Sequence, residues 1–339
     1  MNRNDSQTAK PPESFSNLDD ALRLSLFRSM LKVRMIEERI VELYPEGDMR
    51  CPTHMSLGQE AVASGICALL EADDYVISAH RSHAHYISRG GNLPAMFAEL
   101  YGKATGCASG KGGSMHLIDL SVNFLGCVPI VGSTIPIGVG AAFGAFLKDR
   151  KPVTVVFFGD GAAETGVFHE SVNFANVHQL PVLFVCENNL YSVNTPMAPR
   201  QPLTRTITDI ARGHAIEAHQ ADGQDVEAVY RLTADVIGRM REGNGPALLE
   251  FMTYRWAEHC GPNEDNHLGY RTMEEFNSWK ARCPVTLYRE VLDSSNFLSA
   301  SQETSMRAEL QSEIDDAVSF ARNSPFPDRS ELSRGVYAI

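Results

Sequence analysis

Two apolar runs separated by a helix-length segment constrain the fold of this 339-residue chain more than any other feature. The first run extends from Val153 to Phe158, and the second, VLFVC, ends at Cys186. Such runs are typical of strands that are buried on both faces of a parallel sheet. The segment between them begins after Gly161, has the apolar spacing of a helix and ends at a Leu-Pro pair. The stretch therefore predicts a strand–helix–strand unit with a right-handed crossover.

Strand and helix patterns alternate from about residue 75 to residue 253, which predicts an α/β fold with a mostly parallel sheet and helices on both faces. An amphipathic helix capped by Asn17 precedes this region, and further helices follow from about residue 273. Residues 102–134 are rich in Gly, Ser and Cys and predict a long ordered loop. We expect residues 1–16 to form a flexible N-terminal arm and residues 17–339 to form a single domain that ends in C-terminal helices.

Composition excludes several classes of protein. The net charge is −12, from 30 basic and 42 acidic residues, and no Lys/Arg cluster occurs, so a nucleic-acid-binding protein is not expected. No apolar run reaches the length of about 18 residues that a membrane span requires. Seven cysteines without a CxxC motif indicate reduced thiols and a cytoplasmic location. The polar N-terminus has no apolar h-region, so we expect no signal peptide.

A polar cluster follows each of the two buried strands. Gly159-Asp160-Gly161 ends the first strand, and Asn188-Asn189 ends the second. Because ligands bind at the carboxyl ends of parallel strands, Asp160 and Asn189 are expected to converge on one point. One carboxylate and one amide oxygen suit Mg²⁺, which completes its octahedron with phosphate oxygens and water. The helix after Gly161 would direct its N-terminal N–H groups at the phosphate that binds this Mg²⁺. The clusters therefore predict a site in which Mg²⁺ bridges a diphosphate.

At this point the chain resembles the alpha subunits of the thiamine diphosphate-dependent 2-oxo-acid dehydrogenases, which include the pyruvate, branched-chain 2-oxo-acid and acetoin dehydrogenases. The resemblance extends over about residues 25–295. It is carried by HMSLGQEA (54–61), GCASGKGGSMHL (106–117), IVGSTIPIGVGAA (130–142), GDGAAETG, CENNLYS, ADGQDVEAVY and TYRWAEHC. It implies the thiamine diphosphate-binding fold and the cofactors thiamine diphosphate and Mg²⁺.

The same resemblance implies roles for individual residues. The metal would be held by Asp160, by the side chain of Asn189 and by the backbone carbonyl of Tyr191. His54, at the substrate end, and His259, which would support acyl transfer, are the expected catalytic residues. The implied cofactor-binding residues are His80, Arg81, Val131, Asp160, Gly161, Ala162, Asn189, Tyr191, Val193, Arg255 and His259.

The resemblance also implies an activity and partners. The chain would decarboxylate a small 2-oxo acid and pass the acyl unit to a lipoyl group on a dihydrolipoyl acyltransferase, or to another acyl carrier. A separate beta subunit would supply the glutamate that activates the cofactor, in an α₂β₂ heterotetramer. The alternative is transfer of a two-carbon ketol unit, or of an unusual acyl group, to a carrier in a biosynthetic pathway.

The chain departs from the family pattern at several positions. His80 replaces an aromatic residue, Pro129 stands where pyruvate enzymes tend to have glycine, and Cys260 stands where animal enzymes carry a phosphorylated serine. The segment 260–271 is longer than usual, which motivates the alternative activity. His80, His83 and His85 match no usual zinc spacing, and the roles of these histidines stay open.

Overall fold

The computed structural model of the protein describes residues 18–334, so the predicted arm over 1–16 lies outside the described residues. In chain order the strands are β1 (Tyr75–Ser78), β2 (Phe124–Cys127), β3 (Thr154–Gly159), β4 (Val182–Asn188), β5 (Tyr191–Ser192), β6 (Thr195–Pro196), β7 (Glu217–Asp222) and β8 (Ala247–Met252). Six of them form a parallel sheet in the order β2-β1-β3-β4-β8-β7. The short strands β5 and β6 form an antiparallel hairpin.

Helices surround this sheet. Their bounds are α1 (Asp20–Leu43), α2 (Glu60–Cys67), α3 (His83–Ser88), α4 (Leu93–Leu100), α5 (Thr134–Phe146), α6 (Gly166–Val177), α7 (Ile207–Gly213), α8 (Val226–Arg241), α9 (Met273–Lys280), α10 (Pro284–Ser294) and α11 (Ala300–Asn323). Within residues 18–334, no helix combines the length and the apolar character needed to cross a membrane.

The two central strands are buried on both faces, as their apolar runs predict. Alternate residues of β3 enter different cores: Val155 packs in the core on one face of the sheet, and Val156 in the core on the other. In β4 the same alternation separates Leu183 from Phe184. Because successive strand side chains point to opposite faces, a continuous apolar run fills both cores. The predicted α/β class with a parallel sheet is confirmed.

Small residues bring α5 close to the sheet. A Cβ atom at Gly138 would lie 2.4 Å from Cγ2 of Val156 and 3.0 Å from Cγ2 of Ile77, so no larger residue fits there without a shift. The helix consequently lies against β1 and β3 and places its preceding segment, which contains Val131, beside the carboxyl ends of these strands.

The C-terminal helices pack against α1. Apolar side chains of α1 such as Phe27 and Leu31 share a core with Leu292 of α10 and Leu310 of α11. This packing supports a single domain over residues 17–339, which stays a prediction.

Some local predictions were wrong. Asp19, rather than Asn17, caps α1, because its Oδ1 accepts a hydrogen bond from Leu22 N at 2.7 Å. The loop predicted over 102–134 contains β2, which forms an edge of the sheet. Asp160–Glu164 form a 3₁₀ turn, and α6 begins only at Gly166. Thr165 separates the two, because its backbone is extended and its hydroxyl donates to the carbonyl of Ala162.

Candidate active site

A pocket lies at the carboxyl ends of β1, β3 and β4. Its empty volume is about 880 Å³, including the solvent-filled mouth. All the site residues predicted from sequence line it except Arg255: His54, His80, Arg81, Val131, Asp160, Gly161, Ala162, Asn189, Tyr191, Val193 and His259. The sheet edge therefore brings together residues that are up to 205 positions apart in the chain (54 to 259). Their individual roles stay predictions.

Asp160, at the end of β3, is a buried carboxylate with a cationic partner. Its side chain is 2% exposed and pairs with the guanidinium of Arg200, which also binds Glu164. Burial raises the pKa of Asp160, and the hydrogen bond and charge of Arg200 lower it in part. Sequence reasoning missed Arg200, which lies in the segment after β6. The position of Asp160 thus favours bound positive charge.

Asn189 directly follows β4. It is buried and lines the same pocket as Asp160. Its Nδ2 donates to Gln59 Oε1 at 3.2 Å, which fixes the orientation of the amide. Its Oδ1 accepts a long hydrogen bond of 3.3 Å from Tyr191 N. A carbonyl oxygen has two lone pairs, so Oδ1 keeps capacity for a cation. Gln59 was not predicted as a site residue, although it lies within the quoted segment HMSLGQEA.

Val193 has a strained backbone. Its φ is +53°, a left-handed conformation that is rare for a β-branched residue. The side chain is 51% exposed on the pocket wall. Arg255 stabilises this conformation, because its Nη2 donates to the carbonyl of Val193 at 2.8 Å. Arg255 therefore acts on the pocket through Val193, which explains why it does not itself line the cavity. Strain of this kind is concentrated at functional sites.

Arg81 places a buried positive charge in the pocket. Its guanidinium donates to two backbone carbonyls, of Met55 at 2.5 Å and of His259 at 3.2 Å, rather than to a carboxylate. Burial and the nearby charge of Arg255 lower the pKa of Arg81 to about 10, so it stays protonated at neutral pH. A buried guanidinium without a paired carboxylate is suited to an anion.

Three imidazoles lie at one end of the pocket. The ring centroids of His54, His80 and His259 are 4.5, 5.0 and 5.4 Å apart, in edge-to-face arrangements. Burial, followed by the charge of Arg81, lowers the pKa of His54 to about 2, of His80 to about 3 and of His259 to about 4. All three rings are therefore neutral at pH 7.

Buried ion pairs hold the segment 260–271 in place. Asp265 binds Arg271 at 2.8 Å and lies 3.8 Å from Arg255. Arg271 also donates to the carbonyl of Arg255 at 2.8 Å. This segment thus folds back on the arginine that supports Val193.

His85 and Glu187 line the same pocket, and sequence reasoning assigned no role to either of them. His85 Nδ1 lies 2.9 Å from Ser78 Oγ, and Nε2 lies 3.2 Å from a carboxylate oxygen of Glu187. The ring stacks on Phe157. The sequence did not predict this pair, because the contact joins residues of α3 and β4 that are far apart in the chain.

Comparison with known proteins agrees with this geometry. The family model described as dehydrogenase E1 component matches residues 27–330. The chain is 38% identical over 322 residues to the alpha subunit of acetoin:2,6-dichlorophenolindophenol oxidoreductase of Bacillus subtilis, covering 95% of each chain. It is 35% identical over 311 residues to the pyruvate dehydrogenase E1 component subunit alpha of Rickettsia bellii, covering 92% of this chain and 94% of the relative. It is also 35% identical to the chloroplastic pyruvate dehydrogenase E1 component subunit alpha-3 of Oryza sativa, covering 93% of this chain and 75% of the relative.

The match extends over most of the chain, and the relatives are alpha subunits of enzymes with the expected chemistry. The prediction of a thiamine diphosphate-dependent 2-oxo-acid dehydrogenase alpha subunit is confirmed. The chain belongs to the dehydrogenase E1 component family.

Proposed function

We propose that this chain binds the diphosphate of thiamine diphosphate through Mg²⁺ at Asp160 and Asn189, with the backbone carbonyl of Tyr191 as a third ligand. The observation that carries the proposal is the convergence of Asp160, Asn189 and Arg81 on one pocket. Two protein oxygens from side chains and one from the backbone leave room for phosphate oxygens and water around Mg²⁺. Arg81 supplies the charge that a bound diphosphate needs.

The residues present fit this group. Asp160 is buried against a cation, Arg200, so its surroundings already accommodate positive charge. A Cβ at Gly159 would meet no atom within 4 Å, so the backbone at the pocket floor is open to a ligand. Arg200 has a second partner in Glu164, and it can keep that partner when a metal ion takes its place at Asp160.

The histidines at the end of the pocket suit hydrogen bonding to a substrate. His54 and His259 are neutral at pH 7, so each ring offers one donor and one acceptor nitrogen. Thiamine diphosphate supplies the carbanion chemistry that cleaves the bond beside a carbonyl. The chain's own contribution is to hold the diphosphate, to position Val193 beside the cofactor and to present His54 and His259 to the substrate.

The reaction that we propose is decarboxylation of a small 2-oxo acid, with transfer of the acyl unit to a lipoyl group on an acyltransferase. The relatives are named as subunits of pyruvate and acetoin enzymes, which supports this class of substrate. The seven cysteines are all free, which supports a reducing compartment such as the cytoplasm.

A beta subunit completes the site in this proposal, in an α₂β₂ assembly. Apolar side chains of α5 and of the segment before it are exposed in this chain: Ile137 is 51% exposed and Ile130 is 72% exposed. Gly140 and Gly144, on the same helix, have nothing within 4 Å of an added Cβ. An exposed apolar helix of this kind is suited to close packing against another subunit.

A second candidate reaction is cleavage of a hydroxy ketone such as acetoin. The first of the relatives above acts on acetoin by name and shares 38% identity, against 35% for the pyruvate enzyme. Both reactions would use the same pocket residues.

Reconstitution with a beta subunit tests the proposal. The purified chain alone and the chain with its beta partner are assayed with pyruvate, branched-chain 2-oxo acids, acetoin and ketose phosphates, and the acyl group on the carrier is identified. We expect 2-oxo-acid turnover only in the mixture. Full turnover by the lone chain would overturn the shared site, and turnover of acetoin alone would select the second candidate.

A further inference from the structure

The three histidines at the end of the pocket have the geometry of a ligand set. One ring nitrogen from each of His54, His80 and His259 lies within 4.8 Å of the other two. In a tetrahedral zinc site, metal–nitrogen distances of about 2.0–2.1 Å place the nitrogens about 3.4 Å apart. Side-chain rotations that move each ring by roughly 1 Å close this difference. The rings therefore need no backbone movement to meet on one ion.

The backbone segments that carry the rings are tied together. Gly261 N donates to Thr53 O at 2.8 Å, which joins the segment of His54 to that of His259. Arg81, next to His80, donates to the carbonyls of both Met55 and His259. Three segments distant in sequence are thus held in register before any ligand binds, which lowers the entropic cost of binding.

His54 has an unused nitrogen. Its side chain is 6% exposed, and its Nδ1 is buried without a hydrogen-bond partner among the described residues. A buried polar atom in that state is costly unless a ligand or water satisfies it.

We propose that His54, His80 and His259 form a binding site for a divalent transition metal such as Zn²⁺, distinct from the oxygen site at Asp160 and Asn189. Imidazole nitrogens favour Zn²⁺, Co²⁺ and Ni²⁺, whereas Mg²⁺ favours oxygen, so the two sites select different ions. Three protein ligands leave a fourth position open.

Arg81 sets the character of this site. Its positive charge opposes a bare dication and favours an anion, such as hydroxide or a carboxylate, in the fourth position. We therefore expect an affinity on the order of micromolar rather than nanomolar. If the proposed function is correct, the ion competes with the cofactor and the substrate that these histidines would contact, and it inhibits turnover reversibly. Inhibition rests on the proposed function, whereas metal binding does not.

Zn²⁺ titration by calorimetry in excess Mg²⁺ tests the site on the full chain. His54→Ala and His80→Phe each remove one ligand, and the second keeps an aromatic ring in place. We expect each to weaken the micromolar binding event by about 100-fold or more, with the thermal midpoint close to that of the parent. The matched control is His214→Ala, since His214 forms a half-buried pair with His169 at 3.0 Å and lies outside the pocket.

Comparison with the variants separates this site from zinc binding at an exposed thiol such as Cys260. Equal Zn²⁺ affinity in the parent and in both pocket variants would overturn the proposal, as would the absence of micromolar binding in the parent. A parallel assay of the assembled enzyme tests the inhibition. Zinc binding without inhibition would keep the metal site and reject the assignment of this end of the pocket to cofactor and substrate.

Discussion

At the scale of single residues, the environment of Asp160 determines what the pocket can bind. Its buried carboxylate is neutralised by Arg200, whose guanidinium is shared with Glu164. Removing one partner of a buried pair leaves an uncompensated charge, which costs about 3–5 kcal/mol. A metal ion at Asp160 must therefore compete with an internal cation, and Arg200 sets part of the metal affinity.

Replacement of Arg200 tests this competition. We expect Arg200→Ala to raise the affinity of the chain for Mn²⁺ by about tenfold, or roughly 1.4 kcal/mol, because the ion then meets an unpaired carboxylate. The measurement is a Mn²⁺ titration followed by electron paramagnetic resonance. Arg205→Ala, at an exposed position in the same segment, is the control. Equal or weaker binding by Arg200→Ala would show that Arg200 does not compete with the metal.

The residues that sequence reasoning found and missed differ in one physical respect. Asp160 and Asn189 follow buried strands directly, so the register of the sheet fixes where they lie. Arg200 reaches the pocket from an irregular segment, and its contact with Asp160 depends on the path of that segment. Charge and periodicity carry no signal for such a contact. Gln59 lies in a quoted segment, but its bond to Asn189 joins residues 130 positions apart.

At the scale of elements, the glycine-rich segment 106–113 is organised by one carboxylate. Glu99, at 1% exposure in α4, accepts backbone hydrogen bonds from Ala108 and Gly110 at one oxygen and from Gly112 and Gly113 at the other. Four N–H groups directed at a single side chain form an anion-binding turn whose anion is part of the protein. The segment is therefore ordered without a ligand.

We expect Glu99→Gln to destabilise the protein by about 3 kcal/mol, because the amide NH₂ group would face two N–H donors and lose their hydrogen bonds. Urea denaturation at pH 7 measures this cost. Glu313→Gln removes only a partly exposed ion pair with Lys32 and should change the stability by less than about 1 kcal/mol. A similar, small effect of both substitutions would contradict this role of Glu99.

Some strands and helices could be predicted from the sequence, and others could not. The buried strands β3 and β4 were evident from their apolar runs, and the amphipathic helix α1 from its spacing. β7, with the sequence EAHQAD, is a strand at the edge of the sheet with a polar, partly exposed pattern, so no apolar run marks it. β2 is only four residues long and lies within a Gly-rich segment. It pairs in parallel with β1, which is about 50 residues earlier in the chain. Their pairing depends on long-range contacts that local sequence does not encode.

At the scale of the whole molecule, the exposed apolar side of α5 predicts assembly of this chain with a beta subunit. We expect Ile137→Asp to weaken association with a beta subunit by more than about tenfold, because it places a charge in an apolar interface. Size-exclusion chromatography with light scattering measures the assembly. Leu120→Asp, at a 65% exposed position in the 3₁₀ turn before β2, is the control. Unchanged assembly of Ile137→Asp would exclude this face of α5 from the interface.

The histidines at the pocket end also affect the stability of the whole fold. An imidazole whose folded pKa lies below its ordinary 6.5 contributes stability above pH 6.5 that is lost as the pH falls towards 4. We expect the free energy of unfolding to decrease over this window, and His80→Phe to reduce the decrease by about 1 kcal/mol or more. Urea titrations at pH 7, 5.5 and 4.5 measure it. Parallel curves for parent and variant would contradict the burial of a neutral His80.

Cofactor titration of Asp160→Asn tests the central claim most directly. Binding of thiamine diphosphate to the assembled enzyme is measured by calorimetry in the presence of Mg²⁺. We expect binding about 100-fold weaker or more than in the parent, or roughly 2.7 kcal/mol, because the amide lacks the charge that holds the metal. Asp222→Asn, which changes a surface pair with Arg282 and keeps an oxygen that accepts from Gln224 N, should bind as the parent does. Parent-like affinity in Asp160→Asn would contradict a metal-diphosphate site at the ends of β3 and β4.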